Sequence, residues 1–213
     1  MINVNITSKI TQFIIGKIGI KFDPYKLKKI NDIGFIIIEK LVIKLNKLIP
    51  LYLDFYNNMI DNEIALADIS VNNNVLHIGC GPIPATSILI TKKTDAHVSC
   101  IDKNPKSVQQ AQILLKKLGI ANNIQVFHAG ALNYPLKEYD LIIISQGVKP
   151  YYEILNYISK FIENDTKVIF RTSSSIDSDI VDKDLFLKKI FVIKKIIPQK
   201  KNGLLISILL LKK

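Results

Sequence analysis

The tetrad Gly79-Cys80-Gly81-Pro82 follows a short apolar run at 75–78 and precedes a helix-forming segment that contains Thr86. A strand, a tight glycine turn and a helix N-terminus together let backbone N–H groups approach a polar ligand. A second apolar run, 97–101, ends in Asp102 and Lys103. An acid at the end of the next strand can hold a ribose diol, so the combination points to a nucleoside cofactor. Ile83 and Pro84 stand where a third glycine would admit a pyrophosphate. That turns the reading away from NAD and toward a smaller terminal group, such as an amino-acid carboxylate.

Other chemistry-bearing residues fall where later strands should end: Ser145 and Gln146, then Arg171, Thr172 and Ser173. Ligands of open α/β sheets sit outside the carboxyl ends of the strands, which favours these positions. Upstream, Tyr56 and Glu63 share a helical segment and offer a phenol and a carboxylate as bases. Arg171, the sole arginine, could clamp a substrate carboxylate or pair with Asp140 or Glu153. No histidine lies near Cys80 in sequence, so Cys80 reads as part of the turn and not as a nucleophile. The two cysteines and three histidines have neither zinc nor disulfide-framework spacing, so no metal is predicted and a reducing compartment is.

These residues need a scaffold, and the pattern of apolar positions supplies one. From Val75 onward, short apolar runs alternate with amphipathic segments, the mark of βα units and a mostly parallel sheet. Strands are predicted near 74–78, 97–101, 124–128, 140–145, 167–171, 190–196 and 204–211. Helices are predicted near 84–93, 105–118, 150–162 and 177–188, with Asn104 capping the second of these and Pro105 in its first turn. The last two strands follow each other without room for a helix, which predicts an antiparallel hairpin turning at 199–203. Residues 1–70 read as a helical cover and dimer region, and 71–213 as the cofactor-binding domain. Ile30, Ile33, Ile37, Leu41, Leu45, Leu48 and Tyr52 form an amphipathic stripe, and Pro50 is expected to kink or end that helix. The stripe exceeds what one short helix pair could hide, which predicts a homodimer.

The stretch around 34–53 looks membrane-like until Glu39, Lys40, Lys44 and Lys47 are counted; they interrupt any span-length apolar run. With no signal-peptide pattern at its start, the chain is expected to be cytoplasmic. The net charge of +11 could mark a nucleic-acid binder, but it comes from dispersed lysine pairs and a single arginine. Phosphate- and base-reading surfaces favour arginine forks, so a small-molecule substrate is preferred over RNA and over membranes.

The order VLHIGCGP, VSCID, VFHAGAL and YDLIIIS resembles the four motifs of class I S-adenosylmethionine-dependent methyltransferases, over residues 71–213. The resemblance implies a Rossmann-like seven-stranded α/β sheet. It also implies S-adenosylmethionine as cofactor and S-adenosylhomocysteine as product. Gly79, Cys80, Gly81, Pro82, Thr86, Asp102, Lys103 and Ser145 would bind the cofactor. His77 stands where that family has an acid, and Gly130 where an acid often meets adenine, leaving Gly130 and Ala131 to meet the base through their backbone. GCGPIPATSILI, VIFRTSSS and the C-terminal IPQKKNGLLISILLLKK also resemble nicotianamine synthases and their archaeal relatives. In that likeness YLDFYNNMIDNEIAL leads to a catalytic glutamate, which implies Glu63 in that role; Tyr56 in the helical cover and Thr172 after the fifth strand join it as catalytic candidates by position. Gln146, Arg171 and Ser173 would then hold the substrate. A compact branch of this group is similar to the pyridinol C-methyltransferases of iron-guanylylpyridinol ([Fe]-hydrogenase) cofactor biosynthesis, implying methyl transfer to a hydroxypyridine carbon. Aminopropyl transfer and RNA binding are the rival readings.

Overall fold

The computed structural model describes Glu39 and residues 41–173, 179–199 and 205–213. Its centre is a seven-stranded sheet in the order β3-β2-β1-β4-β5-β7-β6. The strands are β1 (Asn74–Ile78), β2 (His97–Asp102), β3 (Ile124–His128), β4 (Leu141–Ile144), β5 (Lys167–Ser173), β6 (Phe191–Pro198) and β7 (Leu205–Lys212). The first five run parallel, and β7 is antiparallel to both β5 and β6. The predicted hairpin is therefore present; its turn at 200–204 lies outside the described residues. The strand order reverses between β1 and β4, so the crevice outside their carboxyl ends is the natural ligand position.

Among the described residues the sheet is flanked by helices α1 (Ile49–Ala67), α2 (Ala85–Thr94), α3 (Pro105–Lys117), α4 (Tyr151–Phe161) and α5 (Asp179–Ile190). Alternate strand residues feed two apolar layers, because successive side chains point to opposite faces of a sheet. Val75, Val98, Leu141, Ile143, Ile169 and Leu209 pack with α1, α2 and α3. Leu76, Ile101, Ile142, Ile144, Phe170 and Leu210 pack with α4 and α5 on the opposite face. Central strands buried on both faces read as the unbroken apolar runs seen in the sequence.

Every residue of α2 from Ala85 to Thr91 is buried, since α1 lies over the side that a surface helix would expose to water. Asn104 caps α3 as predicted: its side chain accepts a hydrogen bond from the Lys106 N–H at 3.0 Å, with Pro105 at the helix start. Pro50 behaves differently from the expectation. Helical residues 41–44 stop at Leu45, a 3-10 turn spans Asn46–Leu48, and Pro50 lies in the first turn of α1. A proline in the first turn lacks only an N–H that would be unpaired there anyway, so it starts this helix. Ile30, Ile33 and Ile37 lie outside the described residues, as do residues 1–38 of the cover predicted for 1–70.

Candidate functional site

The α1/α2 face of the sheet carries a set of polar residues at the same alternation as its apolar core. His77, Cys100, Ser145, Arg171 and Ser207 all point there, close to the carboxyl ends of β1, β2, β4 and β5. Gly79 and Gly81 follow β1 with φ of 78° and 66°, a left-handed conformation that favours glycine. A Cβ on Gly79 would collide with the Val148 side chain, and one on Gly81 would lie 3.5 Å from Glu39 Oε1. The turn is anchored from below by Gly79 N–H donating to the Ile101 carbonyl at 2.8 Å.

Asp102 shapes this turn directly. Its Oδ2 accepts from the Gly81 N–H at 2.9 Å and its Oδ1 from the Asn104 N–H at 2.8 Å. Each oxygen keeps a further acceptor site, and the side chain is only partly buried. Lys103 beside it is exposed, and its carbonyl lies 3.1 Å from His128 Nε2. Gly130 is exposed with open space where a Cβ would be, and Ala131 is buried beneath it. No side chain caps the N-terminus of α2, whose first turn faces the loop.

Glu63 and Arg171 are brought together, which corrects two expectations at once. Arg171 pairs with neither Asp140 nor Glu153. Its Nε and Nη2 donate to Glu63 Oε1 and Oε2 at 2.8 and 2.6 Å, a bidentate pair buried on both sides. Ser207 also donates to Glu63 Oε1 at 2.6 Å, and Arg171 Nη1 donates to Thr86 Oγ1 at 2.8 Å. Gln199 donates to Ser207 at 3.0 Å and accepts from Asn62 at 2.8 Å, completing a network that ties α1 to α2, β5 and β7. The Glu63 carboxylate is thus occupied by a cation and a hydroxyl, and Thr86 is turned toward Arg171. Thr172 is half-buried, Gln146 is exposed, and Ser173 ends β5 with its side chain outside the described set.

A carboxylate that sequence reading passed over lies at the mouth of the turn. Glu39 Oε1 accepts the Tyr52 hydroxyl proton at 3.1 Å, and Tyr52 and Tyr56 oxygens are 3.4 Å apart. Since Tyr52 gives its own proton to Glu39, Tyr56 is the donor in that second contact. Burial holds the Glu39 carboxyl above its usual range, opposed by the Tyr52 hydrogen bond and reinforced by the nearby Asp102 charge. Burial likewise raises Tyr56. In sequence Glu39 counts only as one charge interrupting an apolar stretch; no spacing rule singles it out.

Beneath Gly79, His77 Nδ1 lies 2.9 Å from Ser87 Oγ and its Nε2 2.8 Å from Ser145 Oγ, while Ser87 Oγ is 3.0 Å from Cys100 Sγ. Burial, aided by the Arg171 charge, pushes the His77 pKa down to about 3, so the ring is neutral. Both cysteines are buried free thiols. A hydrogen bond with Cys100 and burial hold Cys80 far above the usual thiol range, which makes it a poor nucleophile. Among the described residues no group of His, Cys, Asp and Glu could hold a metal ion, and no helix is long and apolar enough to cross a membrane.

Strand order, the antiparallel final strand and the glycine turn after β1 define a Rossmann-like fold of the methyltransferase type. Residues 43–210 match the model of the nicotianamine synthase protein family, and the chain belongs to that family. It is 27% identical over 127 residues to an L-histidine 2-aminobutanoyltransferase of Yersinia pestis, a match covering 60% of this chain and 48% of that protein. The chain thus spans about half the length of this curated relative. A mutant of MtNAS in complex with S-adenosylmethionine superposes with a TM-score of 0.66 at 21% identity, over 75% of this chain and 62% of that one. An RNA methyltransferase from Salinibacter ruber in complex with S-adenosyl-L-homocysteine gives 0.57 at 13% identity, over 73% and 91%. At these identities the structures establish the fold.

Proposed function

We propose that this protein is an S-adenosylmethionine-dependent transferase acting on a small molecule, with methyl transfer to a hydroxypyridine carbon as the specific reaction. The observation that carries the cofactor reading is the turn with glycines at 79 and 81, both at positive φ, with Asp102 bound to Gly81 N–H and Gly130 open to solvent. These residues fit a sulfonium nucleoside: the uncapped α2 N-terminus and turn receive its methionyl end, Asp102 its ribose, and the 130–131 backbone its adenine. When bound, that cofactor supplies an activated alkyl group and a neutral thioether leaving group. The family match and the two cofactor-bound structures support this assignment.

The chain's own task is to orient an acceptor, exclude water and take up a proton. Tyr56, Tyr52 and Glu39 form a relay suited to the last of these. A proton reaching the Tyr56 oxygen moves the Tyr56 hydroxyl proton to Tyr52 and the Tyr52 proton to Glu39, whose raised pKa makes it a competent sink. Glu39 therefore takes the base role first assigned to Glu63, and Glu63 with Arg171 holds α1 and Thr86 in register. Lys103, Gln146, Thr172 and Ser173 remain candidates at the rim.

Aminopropyl transfer, in which the cofactor's aminopropyl chain moves with its carboxylate as an aminobutanoyl group, is the second reading, favoured by the family match and by the named activity of the Yersinia relative. Incubation with S-adenosylmethionine and a panel of hydroxypyridines and amines separates the two. Methyl transfer yields S-adenosylhomocysteine and an acceptor heavier by one methylene; aminopropyl transfer yields methylthioadenosine. Neither by-product with any acceptor, together with no cofactor binding, would overturn the proposal. On this reading residues 1–70 cover the site and join two copies, a stoichiometry that sedimentation would report.

A further inference from the structure

One corner of the sheet lacks a helix. Parallel strands are usually joined by a crossover helix, but the connection from β3 to β4 holds only a 3-10 turn, Ala131–Asn133. Phe127 pairs in register with Ile101, so both project to the α4/α5 side. Ile101 is buried there, whereas Phe127, on the outermost strand with no described helix over it, is 40% exposed. Leu132 in the turn and Phe161 at the end of α4 are 38% and 49% exposed. Ring contacts join these elements into one patch. Phe127 and Tyr134 centroids are 6.3 Å apart, Tyr157 and Phe161 centroids 4.7 Å, and the Tyr157 hydroxyl donates to the Tyr134 carbonyl at 3.1 Å.

Charge singles this corner out. Residues 118–136 contain no Lys, Arg, Asp or Glu, in a chain whose net charge is +11. The opposite edge strand, β6, is built differently: Lys194 and Lys195 are exposed, the register shifts between Ile193 and Lys195, and Pro198 ends the strand. Those are devices that keep an edge from joining another chain. Residues 185–213 hold eight lysines and no acid, so an acidic partner would be drawn to that edge and not to the β3 corner.

The exposed charges that flank the aromatic corner, Lys137, Glu138, Lys160 and Glu163, cancel. An aromatic centre without charge inside a balanced polar rim is the composition of a protein interface. Two copies at +11 each repel through their lysine-rich surfaces, but meet here without that penalty. A two-fold axis also lets the rim lysines of one copy face the rim glutamates of the other. Gln112 Nε2 donates to the Val126 carbonyl at 2.9 Å, which occupies an outward group of β3, so side chains and not strand pairing would form the contact. We propose that Phe127, Leu132 and Phe161, backed by Tyr134 and Tyr157, join two copies of this chain in an isologous contact. It is separate from the Leu41, Leu45 and Leu51 stripe, where exposed Lys44 and Lys47 intervene.

Sedimentation equilibrium on the whole chain, without ligand, tests this. The unsubstituted protein sediments near twice 24.1 kDa. Phe127→Lys weakens the association about 30-fold or more, and so does Phe161→Lys on a different element, while Leu45→Lys does not. Both positions are exposed, so native far-UV circular dichroism is retained, and a fold lost in one variant leaves the other to decide. A contact with a neutral centre holds or tightens as salt rises from about 0.05 to about 1 M, because salt screens the net repulsion. If the helical stripe also joins copies, the unsubstituted chain sediments as four and Phe127→Lys as two, which supports the contact as well. A single-chain mass at about 0.1 mM, far above the Kd of a stable dimer, overturns the proposal even if some other protein is later found on the patch. An assembly that Leu45→Lys dissolves and both phenylalanine variants leave intact overturns it too.

Discussion

His77 carries a pH dependence that can be worked out from its position. Burial pulls its pKa from 6.5 down to about 3, so below pH 6.5 the unfolded chain binds a proton that the folded chain refuses. Its contribution to stability is complete above about pH 6.5 and is lost as pH falls toward 3, at up to about 1.4 kcal/mol per pH unit. Urea titrations at pH 7.5 and 5.5 should show that loss in the native chain and a flatter profile in His77→Leu. Glu39 acts with the opposite sign: a raised carboxyl favours the folded state at low pH, and its contribution disappears as pH rises through the folded value. Asp102→Ala should weaken S-adenosylhomocysteine by about 1–3 kcal/mol through lost charged hydrogen bonds. Unchanged affinity by calorimetry would remove Asp102 from the ribose position. Glu39→Gln, which keeps shape but cannot take a proton, should lower kcat at least about 100-fold with little effect on cofactor affinity, whereas an undiminished kcat would return the base role to another group. At this scale the sequence showed Asp102 and the glycine turn plainly, because both sit at fixed offsets from strand ends. Glu39 was hidden, since its significance comes only from a helix folding back over Gly81.

At the scale of elements, the apolar runs were faithful guides. All seven strands and all four helices predicted after Val75 are present, shifted by one or two residues at their ends. They were legible because a strand buried on both faces cannot tolerate polar interruption. Pro50 shows where local reading stops: the residue rules out a helix interior, yet says nothing about whether it opens one helix or closes another. The Arg171 partner was equally unreadable, because Glu63 and Arg171 are far apart in sequence and only the packing of α1 over β5 joins them. α2 gives an element-scale prediction. Ile88 is completely buried between α1 and the sheet, so Ile88→Ala should cost about 2–5 kcal/mol in chemical denaturation. Asn104→Ala, which removes only a cap at an exposed helix start, should cost about 1 kcal/mol.

For the whole molecule, ligand linkage offers the broadest check. A nucleoside that binds only the folded chain, supplied at 100 times its Kd, adds about 2.7 kcal/mol. In a chain of this size that should raise Tm by roughly 5–10 °C, and no shift with either S-adenosylmethionine or S-adenosylhomocysteine would speak against the site. The net charge of +11 gives a second whole-molecule test, because a genuine RNA contact would weaken steeply between low and moderate salt. Architecture was legible from the alternation of βα units, whereas the substrate was not, since the same sheet serves many chemistries.

The Glu63–Arg171 clasp also constrains how molecules enter and leave. Lifting α1 would strand a guanidinium and a carboxylate in the interior, a far larger penalty than shifting a surface helix. That helix is therefore a fixed wall, and traffic passes elsewhere along the rim. In native-state hydrogen exchange its amides should keep time with those of β5, opening only when the entire core opens.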